Sequence, residues 1–91
     1  MTIMPDKVSR NTDHDKYFAS FDLGLASSLV TLGYVLIEVD KQNKSKAQFI
    51  FNRNKNIDND VKRYWDGTLL VSARHLHDST KMLKNRLYSS D

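Results

Sequence analysis

The sequence contains no cysteine, and this absence excludes a disulfide framework, a thiolate metal site and a cysteine nucleophile. It has three glycines and one proline, so it has little capacity for long irregular loops. No stretch approaches the roughly 20 apolar residues that a membrane-spanning helix needs, and the opening MTIMPDKVSRNTDHD lacks the apolar segment of a signal peptide. We therefore expect a cytoplasmic protein, without membrane association, whose fold depends on packing alone.

The length of 91 residues permits one domain and excludes most large catalytic architectures. With 40% apolar and 27% charged residues, the composition is that of an ordinary globular domain. Residues 1–16 are polar, include Pro5 and show no period that can bury a face, which predicts a flexible N-terminal arm. Residues 17–91 are expected to form a single α+β domain.

The first predicted element is a helix that ends at Gly33. Ser20 is the predicted N-cap, apolar or small residues recur at helical spacing from Phe21 to Leu32, and glycine is the residue that commonly ends a helix in a left-handed conformation. Both faces of this helix are apolar. We therefore expect it to lie centrally in the domain, covered on most sides.

Alternating apolar residues in 34–40 and 46–52 predict two antiparallel strands, joined by a polar turn at 41–45. One face of this hairpin is expected to cover the core, with six side chains: Val35, Ile37, Val39, Ala47, Phe49 and Phe51. The other face is only half polar and has no predicted cover. Its apolar members predict a homodimer or partner interface at the hairpin: Tyr34, Leu36 and Ile50.

Two further helices are predicted in the last third of the chain. Asn56 can cap the second helix, which Gly67 ends, and Ser72 can cap a third helix that runs to about Tyr88. The resulting order is α-β-β-α-α. We expect a small α+β domain in which a two-stranded antiparallel hairpin packs on three helices.

Several short strings of this sequence together resemble a family of small prokaryotic and phage proteins catalogued as a domain of unknown function. They are FDLGLASSL at 21–29, LGY at 32–34, FIF at 49–51, YWDG at 64–67 and MLKNRL at 82–87. The resemblance covers about residues 17–88 and implies no activity, because no catalytic residue of the family can be carried over. It implies an accessory protein of bacteria, phages or other mobile elements, a context that favours nucleic-acid or host-interaction roles.

Residues with catalytic or metal-binding chemistry are few and poorly spaced. The three histidines are His14, on the predicted arm, and His75 and His77, which lie two residues apart on a helix and therefore point in nearly opposite directions. The sequence has no nucleophile elbow and no glycine-rich phosphate loop. We expect no metal site, no cofactor and no enzymatic activity.

The distribution of charge is more informative than the net charge of +3. Residues 1–40 carry three cations and six anions, whereas residues 41–91 carry eleven cations and five anions. Such a basic half predicts a surface that binds a polyanion, either nucleic acid or a nucleoprotein. The predicted contacts, which would be phosphate contacts without sequence readout, are Lys41, Lys44, Lys46, Arg53, Lys62, Arg63, Arg74, Lys81 and Lys84.

An alternative function is a protein-protein interaction module, such as an inhibitor or an assembly subunit. Its predicted interface combines the outer hairpin face with an aromatic pair: Tyr34, Leu36, Ile50, Tyr64 and Trp65. Interfaces favour exposed tryptophan and tyrosine anchors. For Trp65 the simpler expectation is a buried position in the core, and the exposed anchor is the alternative.

Overall fold

The computed structural model describes residues 16–42 and 46–89. The predicted arm therefore lies outside the described residues, except for Lys16, and so does Lys44. In chain order the elements are β1 (Tyr17–Ser20), α1 (Leu23–Leu32), β2 (Leu36–Asp40), β3 (Gln48–Asn52), α2 (Ile57–Asp66) and α3 (Ala73–Tyr88). The predicted small α+β domain with three helices is thus confirmed for this part of the chain.

The sheet of the described residues has three strands in the order β1-β3-β2, with both pairs antiparallel. The predicted pairing of β2 with β3 is confirmed, but the two-stranded hairpin is wrong because β1 adds a third strand. Phe18 of β1 lies opposite Phe51, and Ala19 lies opposite Ile50. A four-residue strand whose partner is 30 residues away has almost no local signal, so the sequence pattern did not reveal it.

A bulge in β2 changes which of its side chains face the core. Leu36 pairs with Phe51 but Glu38 pairs with Ile50, so the extra residue between them interrupts the alternation. Leu36 and Val39 consequently pack against the core, whereas Val35 and Ile37 are exposed by 58% and 44%. The prediction that Val35 and Ile37 cover the core is therefore wrong.

The predicted apolar patch on the outer hairpin face is not a surface feature. Tyr34 and Leu36 pack against the core, and Ile50 is buried in the middle strand between Ala19 and Glu38. The prediction of an uncovered apolar face is therefore wrong. The bulge brings Leu36 inward, and the central position of β3 buries Ile50.

Helix α1 occupies the centre of the domain, as predicted. Its residues Leu25 to Leu29 are all buried. The N-cap is Asp22 rather than Ser20, because an Asp22 side-chain oxygen accepts a hydrogen bond of 2.8 Å from the Leu25 N–H. Gly33 ends the helix with φ of 101°, a left-handed conformation in which a side chain would be strained.

The predicted limits of the other two helices also agree with the structure. Ser72 caps α3 by accepting a hydrogen bond of 3.3 Å from the His75 N–H. Asn56 stands at the N-cap of α2 but makes no side-chain capping bond, and Gly67 ends α2 with φ of 79°. The core that these elements enclose consists of Leu25, Ala26, Leu29, Phe49, Phe51, Ile57 and Leu83.

Candidate nucleic-acid interface

The outer face of α3 carries a row of exposed side chains, which we call the α3 stripe: Arg74, His77, Lys81, Lys84 and Tyr88. Their spacings of three and four residues place them within about 80° of the helix circumference, because each residue turns the helix by about 100°. At 1.5 Å per residue the stripe is about 21 Å long. Three of the predicted phosphate contacts therefore lie on one continuous line.

The stripe faces solvent because the apolar side of α3 packs against the rest of the domain. Leu83 is buried in the core, and Leu87 packs against the core. The Thr31 hydroxyl of α1 and the Ser79 hydroxyl share a hydrogen bond of 2.9 Å, which joins the two helices on the same side. Ser79 and Leu83 lie more than a third of a turn round the helix from the middle of the stripe, so the stripe points outward when this side is held.

The α3 stripe is positively charged and has little internal neutralisation. Arg74 has one carboxylate neighbour, Asp78, at 3.9 Å, and both side chains are well exposed, so water screens this pair strongly. Within the described part of the chain, Lys81 and Lys84 have neither an ion-pair partner nor a hydrogen-bond partner. Their ammonium groups are therefore available to an external anion.

Other cations predicted as phosphate contacts have partners within the chain. Arg53 donates to Asp58 at 2.6 Å, while its guanidinium carbon lies 5.9 Å from the centre of the Phe18 ring. The remaining two pairs lie within α2 and are Lys62 with Asp66 at 3.0 Å and Arg63 with Asp60 at 3.4 Å. These neighbouring carboxylates lower the local positive potential, so the second helix is a weaker anion site than α3.

The two described lysines that flank the hairpin turn also contact their own chain. The Lys41 ammonium donates to the carbonyl oxygens of Arg86 and Ser89, at 3.0 and 3.1 Å, and so satisfies acceptors at the end of α3. The Lys46 ammonium lies 5.1 Å from the centre of the exposed Phe21 ring. Neither position resembles the open row of cations on α3.

Sequence reasoning missed Tyr88 as a member of the stripe. Its side chain is 79% exposed and follows Lys84 by four residues and Lys81 by seven. The same helical spacing that selected the cations includes this position. In the sequence, Tyr88 indicates only where the predicted helix ends, and its place on the outer face follows from its spacing to Lys81 and Lys84.

The aromatic pair predicted for protein binding has one exposed member. Trp65 is 61% exposed, so the expectation of a buried core tryptophan is wrong. Tyr64 is half-buried and packs against the core, with its ring centre 4.9 Å from that of Trp65 in an edge-to-face arrangement. Burial, together with the nearby charge of Asp22, raises the pKa of the Tyr64 hydroxyl.

An open groove of about 460 Å³ lies beside the stripe on α3. It is lined by Asp78, Lys81, Met82, Asn85, Arg86 and Ser89.

Among the residues that the structure describes, no three histidine or carboxylate side chains come together as a metal site would require. Across the same residues, no helix combines the length and apolar character needed to cross a bilayer.

A comparison with family models identifies one match, which spans residues 15–89 and is described as Domain of unknown function (DUF5659). The chain belongs to the DUF5659 family. The match covers all six described elements and confirms the resemblance to a domain of unknown function that the sequence strings indicated. No curated protein and no solved structure gives a significant match to this DUF5659 chain.

Proposed function

We propose that this protein is a non-catalytic accessory protein that binds nucleic acid, free or in a nucleoprotein complex, through the α3 stripe. The observation that carries the proposal is the row of three exposed cations on one helix face, two of which have no partner in the described chain. A line of exposed cations suits the line of phosphates along a nucleic-acid strand. The accessory role in a phage or other mobile element rests on the family resemblance, and the cytoplasmic location stays a prediction.

The stripe supports binding that depends on salt and little on sequence. Each phosphate that a lysine or arginine neutralises releases condensed counterions, which changes the slope of log affinity against log salt by about 0.7 to 0.9. Arg74, Lys81 and Lys84 would therefore give a slope of about −2 to −3. A slope near zero would contradict an electrostatic interface.

The decisive variant reverses two charges on the stripe, Lys81→Glu with Lys84→Glu. We expect much weaker binding of fluorescein-labelled DNA or RNA in polarisation titrations, and a salt slope reduced by about 2, because two phosphate contacts are lost. Both side chains are exposed, so the domain should stay folded. Equal affinity of the variant and the natural protein would exclude the stripe as the interface.

A matched control distinguishes the effect of losing the stripe's cations from the effect of changing the net charge. Lys16 and Lys55 are exposed and lie outside α3, and Lys16→Glu with Lys55→Glu changes the net charge by the same amount. We expect this control to bind almost as well as the natural protein. If the natural protein binds neither DNA nor RNA even at low salt, the proposed function is wrong.

A protein-protein interaction module is the second candidate function, and the exposure of Trp65 favours it. A tryptophan that is 61% exposed offers a large apolar surface of the kind that interface anchors use. Trp65 is the only tryptophan of the chain, so its fluorescence reports directly on this site. Co-purification of a stoichiometric partner that Trp65→Ala abolishes, with an emission shift on binding, would support this candidate over nucleic acid.

The homodimer predicted at the hairpin was based on an exposed apolar patch. Tyr34, Leu36 and Ile50 do not form such a patch. Light scattering over a wide range of protein concentration tests it independently. A molar mass that stays at the 10.5 kDa of one chain would exclude the dimer.

A further inference from the structure

The aromatic ring at the end of the α3 stripe lies outside the core. Tyr34 and Tyr64 both pack against the core, whereas Tyr88 is 79% exposed. A single exposed aromatic residue is common on protein surfaces and needs no explanation by itself. Its position in line with Lys81 and Lys84, whose ammonium groups have no partner among the described residues, is the notable feature.

From this arrangement we infer that the α3 stripe binds single-stranded nucleic acid, with Tyr88 stacking on a base while Lys81 and Lys84 contact neighbouring phosphates. The inference rests on the proposed function and names its substrate class. Along the helix axis Tyr88 lies about 6 Å from Lys84 and about 10 Å from Lys81. A short extended strand can therefore contact all three side chains at once.

The end of α3 that carries Tyr88 is anchored rather than frayed. Lys41 donates to the carbonyl oxygens of Arg86 and Ser89, and Leu87 packs against the core. These contacts fix the last turn of the helix. Tyr88 consequently presents its ring from a supported backbone, and tyrosine loses little conformational entropy when it stacks because it has two side-chain torsions.

Stacking distinguishes a single strand from a duplex. In a duplex the base faces are covered by their neighbours, so a protein reaches base edges and phosphates unless it unstacks the helix at a cost of a few kcal/mol. A single strand exposes its base faces, and an aromatic ring beside a row of cations is the usual means of binding it. Phosphate contacts alone would bind single strands and duplexes alike. The preference for a single strand therefore depends on Tyr88.

The experiment compares a labelled single-stranded oligothymidylate and oligouridylate with a DNA duplex of equal length at one salt concentration. We expect the full chain to bind the single strands more tightly than the duplex. Tyr88→Ala should weaken single-strand binding by about five- to one-hundred-fold, and Tyr88→Phe should retain it, because stacking needs the ring and not the hydroxyl. The salt slope of Tyr88→Ala, measured over a series of salt concentrations, should equal that of the natural protein, since no phosphate contact is lost.

Trp65→Ala is the matched control, because Trp65 is also exposed but belongs to α2. We expect it to leave single-strand binding unchanged. Equal affinities for single strand and duplex, or no effect of Tyr88→Ala, would overturn the inference while the Lys81 and Lys84 variant still tests the proposed function. Absence of all binding would overturn both.

Discussion

Tyr34 lies between α1 and β2, and its hydroxyl group connects this segment to α2. It follows Gly33 directly, and its hydroxyl donates a hydrogen bond of 2.5 Å to a side-chain oxygen of Asp60. Burial raises the pKa of Tyr34 to about 12, and the hydrogen bond to Asp60 and the charge of that carboxylate act in the same direction. One phenol thus joins the end of α1 to the first turn of α2.

Removal of this hydroxyl should cost stability. We expect Tyr34→Phe to lower the free energy of unfolding by about 1 kcal/mol, because Asp60 loses a hydrogen-bond donor. Urea unfolding followed by circular dichroism measures the change. Tyr88→Phe is the matched control at an exposed position, and we expect it to be neutral. Equal stability of both variants would mean that the Tyr34 bond contributes nothing.

Burial of Tyr34, together with this bond, makes stability depend on pH in a defined window. The pKa of Tyr34 is raised from 10.0, its ordinary value, to about 12, so the neutral phenol is favoured in the folded state. Its contribution is fully present below pH 10 and is lost as the pH rises through about 12. Tyrosinate absorbance should show a titration near pH 12 that Tyr34→Phe removes, and an unchanged titration curve would contradict the assignment.

At the scale of elements, α1 and α2 approach each other closely at Gly24. A β-carbon at this position would overlap the hydroxyl oxygen of Tyr64 and would lie 3.2 Å from a side-chain oxygen of Asp22, the N-cap. Apolar residues on both faces of the first helix predicted a central element, and the burial of Leu25 to Leu29 confirms it. The particular neighbour of Gly24 could not be predicted, because it comes from a helix 40 residues later.

A double-mutant cycle tests this contact. Alanine normally stabilises a helix by up to about 1 kcal/mol relative to glycine, but we expect Gly24→Ala to destabilise this protein because Tyr64 must move. In a Tyr64→Phe background the nearest ring atom is 3.5 Å from the new β-carbon, an ordinary contact. The cost of Gly24→Ala should then fall by about 1 kcal/mol or more. An equal cost in both backgrounds would exclude the contact.

At the scale of the whole molecule, β1 connects the beginning of the described chain to its middle. Phe18 pairs with Phe51 across the sheet and packs against the core, and the Lys16 carbonyl accepts a bond of 2.8 Å from the Arg53 N–H. Without this strand, β3 would be an edge strand with its buried Ile50 next to solvent. The third strand is therefore an integral part of the fold.

Two phenylalanines three residues apart test this conclusion. We expect Phe18→Ala to lower the free energy of unfolding by about 2 kcal/mol, because it removes a ring that packs against the core. Phe21 is 54% exposed, so Phe21→Ala should cost less than about 1 kcal/mol. Chemical denaturation of both variants provides the comparison, and equal costs would show that β1 is dispensable.

The sequence by itself determined the features that depend on neighbours along the chain. The three helices, the glycines that end α1 and α2, the Ser72 cap, the pairing of β2 with β3 and the family all follow from local patterns. The lysines of the α3 stripe were also recognisable, because helical spacing alone places Lys81 and Lys84 on one side. Capping, periodicity and turn preferences act over a few residues, so they can be read directly.

Only the tertiary structure decided the features that depend on distant residues. It paired β1 with β3, shifted β2 by a bulge so that Val35 and Ile37 face solvent, and left Trp65 exposed. The carboxylate partners of Arg53 and of the α2 cations, by contrast, lie only three to five residues away along the chain. Packing over long sequence separation selects among locally acceptable arrangements, because no local pattern specifies which distant residue a strand or side chain meets.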